Sequence, residues 1–341
     1  MMEIVVTSLA FIASALLAGV MGFAIQRGAT CTVAAVNEVL EKRRFRRLLA
    51  MLEASVWVTG GLLLAQSLHL PGSMPAGYPV TGFTVLGGAL LGLGAYINGA
   101  CVFGAIARLG SGQWAYAITP VGFYAGCLSA DYLFAPHVFQ KLPYGSLVLR
   151  APPWVAVAFV AFALWRLGGP ALAALRGGSD DAAWPARLVQ RGRTIATRVW
   201  SPHAATTVIG ISFFLMLLLV GAWAYTDVLM DLARSMMARS LAARSMLLAA
   251  LLLGAMLGGW TAGLFRSTPA TAKQLLACFA GGMLMGLGSL LIPGGNDGLI
   301  LVGMPLLWPY AWLAFATMCM SIGLAALARK TLAQPLAEPS A

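Results

Sequence analysis

Two of the five cysteines stand in matching contexts. Cys31 closes GATC at 28 to 31, Cys101 closes NGAC at 98 to 101, and each is followed by an apolar run of only a few helical turns. A thiol at the start of a helix faces backbone N–H groups that lack intrahelical acceptors and carry a partial positive charge. Such an end can hold an anion without a formal cation, and it makes the thiol more polar and more acidic than usual. The plain alternative is a small residue filling a gap between helices, which is how Cys127, Cys278 and Cys319 are read. Around the pair, Gln26, Thr30 and Asn98 supply uncharged hydrogen-bonding groups or helix caps, and Gly99 permits a turn. Arg27 and Arg108 either draw an anion into a vestibule or reach for lipid headgroups. In the second half of the chain, PGGNDG at 293 to 298 places Gly295, Asn296 and Asp297 in a break, where Asp297 is either a helix cap or an ionisable site residue.

Other chemistry finds no set of residues. No CxxC or Cys/His spacing supports a disulfide framework or a metal site. His69, His137 and His203 are read as loop residues, and neither a serine nucleophile nor a carboxylate pair is visible. The expectation is a protein that is not an enzyme and uses no metal or cofactor.

The elements that must position the two thiols are membrane helices. Of 341 residues, 60% are hydrophobic and 10% charged, and the mean hydropathy is +0.84; a soluble domain carries about a quarter charged residues. At about 20 residues per crossing, charge-poor stretches give nine spans, near 4 to 26, 48 to 68, 82 to 97, 113 to 134, 152 to 166, 204 to 226, 245 to 265, 274 to 292 and 306 to 328. The apolar start follows Glu3 rather than a basic stretch, so it is read as the first span and not a cleaved leader. The net charge of +11 is clustered, in Lys42 to Arg47 and in Arg166 to Arg198. These blocks are read as cytoplasmic loops rather than nucleic-acid contacts.

The chain also repeats itself. Sliding 87–117 onto 281–311 at an offset of 194 gives eleven identities in 31 positions: Gly87, Gly88, Leu90, Gly92, Leu93, Gly94, Gly104, Ile106, Trp114, Tyr116 and Ala117. The basic blocks give the two halves opposite orientations, with the C-terminus inside; Arg234, Arg239 and Arg244, which fall outside in this count, speak against it. The expected organisation is a first repeat over 1–134 with short helices near 27–40 and 98–110, then an extra span and a basic cytoplasmic linker over 135–203. A second, inverted repeat over 204–330, with short segments near 227–243 and 293–304, and a tail over 331–341 complete it. Short interrupted segments at matching places in inverted halves point to a transporter's binding site.

GFAIQRGATC (22–31), GGALLGLGAYINGACVFGAIARLGSGQWA (87–115) and GGMLMGLGS (281–289) resemble the YeeE/YedE family of thiosulfate and sulfur-compound uptake proteins. The resemblance implies an all-α, hourglass-like inverted repeat with short re-entrant helices meeting at a constriction, where thiols pass thiosulfate along by S–H to sulfur hydrogen bonds. Cys31 and Cys101 match family cysteines by position. Relatives often carry a further cysteine where this chain reads PGGNDG, which opens the substrate to other small sulfur anions. The expected function is uptake of thiosulfate or a related anion across the inner membrane. Two other readings stand beside it: persulfide exchange between these cysteines and a soluble sulfur carrier, and a membrane scaffold whose cysteines only pack.

Overall fold

The computed structural model describes residues 2–70, 74–134, 140–176, 199–233 and 239–333. It is 79% helical, without a strand among the described residues. The helices are α1 (Met2–Gly28), α2 (Thr32–Lys42), α3 (Arg46–Ser67), α4 (Gly82–Asn98), α5 (Val102–Gly110), α6 (Thr119–Phe134) and α7 (Pro153–Arg176), then α8 (Pro202–Val220), α9 (Tyr225–Ala233), α10 (Arg239–Thr261), α11 (Ala272–Leu291), α12 (Asn296–Gly298) and α13 (Pro309–Ala333). A π-helical turn, Leu299–Gly303, continues α12. Most of the basic linker, together with His137 and Arg234, lies outside the described residues.

Seven stretches of the described residues are long and apolar enough to cross a membrane, two of them formed by α1 with α2 and by α4 with α5. Nine spans were expected. The stretch at 113–134 opens with a tight turn, Trp114–Ile118, leaving α6 only 16 residues. In α7 the apolar part is Pro153–Gly169, shorter than the other seven.

Local chemistry sets the breaks. Thr81 and Thr84 form a reciprocal capping box at the start of α4, as Thr271 and Gln274 do for α11. Gly99 ends α4 at φ +74, a left-handed conformation that costs glycine little, and the chain then re-enters a helix at Cys101.

Glycines bring the long helices into backbone contact, the means by which apolar helices associate in lipid. An added Cβ at Gly87 would lie 2.8 Å from the Gly288 carbonyl oxygen, and one at Gly94 would lie 2.6 Å from that of Gly281. These two contacts exchange under the 194-residue offset. So do those of Gly88 with Thr317 and of Gly282 with Phe123. On the other flank, Gly22 packs on Leu251 and Gly254 on Gly19, joining α1 to α10.

One polar cluster lies away from these seams. Glu53 of α3 accepts from Arg166 of α7 (2.8 Å) and from Thr207 of α8 (3.3 Å), and it also meets His203. His203 therefore does not sit in a loop but in the first turn of α8, next to the cap residue Ser201.

Candidate functional site

Cys31 and Cys101 are the residues immediately before α2 and α5, and both have extended backbone. The two thiols interact directly, and the Thr32 N–H, first in α2, donates to Cys101 Sγ at 3.1 Å. Cys101 is fully buried and Cys31 is 9% exposed. Gly104, one turn into α5, makes room for the pair: a Cβ there would lie 2.5 Å from Cys31 Sγ and 3.0 Å from its Cβ.

The short helices of the second half meet in a parallel way. The Thr226 N–H, at the start of α9, donates to Asp297 Oδ2 at 3.2 Å, and its hydroxyl donates to Oδ1 at 2.5 Å. Thr32 and Thr226 are 194 residues apart. In each half, then, the start of one short helix donates a backbone N–H to a side chain at the start of the other. Asp297 thus caps α9, and its carboxylate also meets the backbone N–H groups of its own turn at Asp297 and Gly298. Asp227 accepts from the Ala224 N–H, and α5 packs directly on the Asn296–Gly298 turn.

Several buried polar atoms around these starts have no partner among the described residues: Thr30 Oγ1, Thr32 Oγ1, Gln26 Oε1, and both amide atoms of Asn296. Buried polar groups are ordinarily hydrogen-bonded, and exceptions call for a reason. Asn296 is 0% exposed, and Gly295 before it has extended backbone.

The remaining residues singled out in the sequence take mixed places. Gln26 donates to Ser111 Oγ at 3.3 Å. Asn98 donates to the Ala100 carbonyl at 2.6 Å and accepts from Thr119, fixing the turn before Cys101. Arg27 neither opens to a vestibule nor reaches for headgroups: it is fully buried, over the Phe23 ring, and donates to Thr261 at 2.6 Å. Arg108 donates to the Tyr116 hydroxyl and to the Gly99 carbonyl, at 2.8 and 3.0 Å. With Arg47, Asn37 and Ala107 it lines a cavity of about 220 Å³ that reaches Cys31. A second, apolar cavity of about 260 Å³ lies between Val102, Ile106, Phe123, Tyr225 and Leu229.

Sequence reasoning missed Thr32, Thr226, Asp227 and Arg47. The two threonines do match at the repeat offset, but a single matching residue in a stretch without neighbouring identities carries no signal. Arg47 was absorbed into a basic block that looks alike at every position.

Long apolar helices surrounding short, interrupted ones, with polar groups buried at the interruptions, define a polytopic membrane protein of the kind that carries solutes. The chain belongs to the sulphur transport family, YeeE/YedE, whose model matches residues 27–324, both cysteine segments and the repeated block included. No curated protein matches the chain. It is a multi-pass membrane transporter of sulfur compounds.

Proposed function

We propose that this transporter takes up thiosulfate or a closely related sulfur anion through a constriction formed where the short helices meet, with Cys31 and Cys101 as its hydrogen-bonding groups. The observation that carries the reading is the direct meeting of two buried thiols at the starts of two different short helices. An anion there gains S–H donors and the partial positive charge of the helix ends. Thiols are weak donors and hold a soft, charge-dispersed anion loosely enough to release it. Gln26, Thr30 and the Asn98–Gly99 turn shape the approach on the first half; Gly295, Asn296 and Asp297 shape it on the second. Arg108 and Arg47 line the cavity that leads from Cys31 toward the cytoplasmic side, where they draw the anion onward from the thiols, and Arg27 holds α1 against α10.

The exchange of glycine contacts under the 194-residue offset supports two inverted repeats, 1–134 and 204–330, about a pseudo-twofold axis, in an hourglass-like arrangement. With α6 and α7 also crossing, the chain has nine spans, and 135–203 is an extra span with a basic linker. Lys330, near the end of α13, lies 3.8 Å from Glu41 beside the basic block at 42–47. That pairing supports a C-terminus, with its tail 331–341, on the same cytoplasmic side of the inner membrane as the block.

Uptake of radiolabelled thiosulfate into proteoliposomes containing the pure full chain is the direct test. Cys31→Ala and Cys101→Ala are each expected to lower uptake at least tenfold, and unaltered uptake in both would reject the thiol role. Persulfide exchange with a soluble carrier needs a thiol that a protein can reach, and the burial of both cysteines weighs against it. Cys→Ser variants separate the two routes, since serine still donates a hydrogen bond but cannot form a persulfide.

A further inference from the structure

The buried carboxylates of the second half are a poor surface for an anion. Asp297 is 2% exposed, and the donors around its carboxylate, the hydroxyl and the N–H of Thr226 and the backbone N–H groups of Asp297 and Gly298, are uncharged. No cation pairs with it among the described residues. Asp227 lies close enough to feel its charge, and so does Tyr225, which is also within electrostatic reach of Cys101. Asp297 belongs to the Asn296–Gly298 turn that packs on α5, the helix that Cys101 precedes, and next to it the Asn296 amide is fully buried without a partner among the described residues.

The other titratable groups around the two carboxylates do not neutralise them. From α9 come Tyr225 and Asp231, from α5 Cys101, from α13 Tyr310, with Tyr78 behind it. Arg244 of α10 is already paired with Asp231 at 2.5 Å. A charge held in low dielectric without a counter-ion is costly, and a carboxylate so placed lowers the cost by taking a proton. Both aspartates lie on short segments outside the seven spanning stretches, and burial pushes both carboxyls above the ordinary carboxylate range. An ionised Asp297 would repel a sulfur dianion in the neighbouring constriction, whereas a protonated one would not.

We propose that Asp297 is a proton-binding group on the anion path, so that the sulfur anion crosses together with a proton. The inference rests on the transport reading above and adds proton coupling to it. Asn296 complements the arrangement, because its amide can donate to an anion's oxygen without adding charge of its own.

The test uses proteoliposomes of the full chain, with the membrane potential clamped by valinomycin and potassium, and pyranine inside to report proton entry. Thiosulfate stays a dianion over pH 5 to 9, so any titration belongs to the protein. Expected for the native chain is uptake that falls about tenfold per pH unit above its midpoint, with thiosulfate-driven acidification of the interior. Asp297→Asn should flatten the profile and abolish acidification. Thr226→Val removes a donor that favours the charged form, so its alkaline limb should move to higher pH. Uptake without proton entry, or the native slope retained in Asp297→Asn, overturns the proton inference alone. If Asp297→Asn fails to fold, the Thr226→Val profile decides, and an unmoved limb overturns the inference. Absence of any uptake by the native chain overturns the transport reading itself.

Discussion

Gly104 offers a sharp test of the thiol pair. A methyl group there would lie 2.5 Å from Cys31 Sγ, 3.0 Å from its Cβ and 3.1 Å from Ala100 Cβ. Rotating the thiol relieves only the first of these, and it turns the sulfur away from Cys101. Overpacking of this kind costs about 1 to 3 kcal/mol, offset by about 1 kcal/mol gained when alanine replaces glycine in a helix. Gly104→Ala should therefore lose about 0 to 2 kcal/mol of stability. Losing one thiol hydrogen bond to an anion, worth about 1.5 to 3 kcal/mol, should lower uptake about 10- to 150-fold. The repeat supplies the control: Gly298 stands at the matching position, and a Cβ there meets only Ala224, at an ordinary 3.9 Å. Gly298→Ala should fold at least as well as the native chain and transport normally. Thermal unfolding in detergent and thiosulfate uptake are measured for both variants and for Cys31→Ala/Gly104→Ala. In that double variant the clash has lost its sulfur while the two Cβ contacts remain, so stability should recover in part and uptake should not. Native uptake in Gly104→Ala would refute the claim that the glycine exists to seat the thiols.

Gly254→Leu places a large side chain against the Gly19 backbone and should prevent assembly of α1 on α10, read as loss of monodisperse protein in detergent, whereas Gly82→Ala, with nothing within 4 Å of the new methyl, should be silent. Glu53→Gln leaves Arg166 and His203 without their shared carboxylate; a loss of about 2 kcal/mol, seen as a lower unfolding midpoint with thiosulfate affinity unchanged, is expected because none of the three lines the cavity at Cys31. In inside-out vesicles, where the cytoplasmic face meets the added thiosulfate, Arg47→Gln should raise the KM several-fold at low ionic strength and much less in high salt, since a vestibule charge acts by attracting the anion and is screened.

The starts of the short helices were readable because glycine and small polar residues interrupt an apolar pattern, and the structure begins α2 and α5 one residue after the two cysteines. The glycine seam was readable too, since close helix approach selects glycine at fixed positions and the repeat displays that selection twice. Arg27 was not. A lone arginine at a helix end reads as a surface group, and its burial depends on Phe23 one turn back and on Thr261 more than two hundred residues away. The pairing of Thr226 with Asp297 was hidden for the same reason: each residue is an ordinary cap by itself, and only tertiary packing brings the two caps together. Glu53 is a carboxylate within an apolar span, but Arg166 and His203 come from the two helices that flank the linker, and no periodicity relates them.

The backbone seam between α4 and α11 bears on how a solute can be carried. Domains that rock as rigid bodies need an interface of side chains able to slide or part, but here Gly87 and Gly288, and Gly94 and Gly281, touch main chain to main chain, with Met285 and Ile292 packed beside the contacts. Prising that zipper open would uncover peptide dipoles along its whole length to hydrocarbon. The halves must stay clasped through every cycle, so passage falls to small local displacements of the four short helices, and throughput should resemble a narrow pore more than an alternating-access machine.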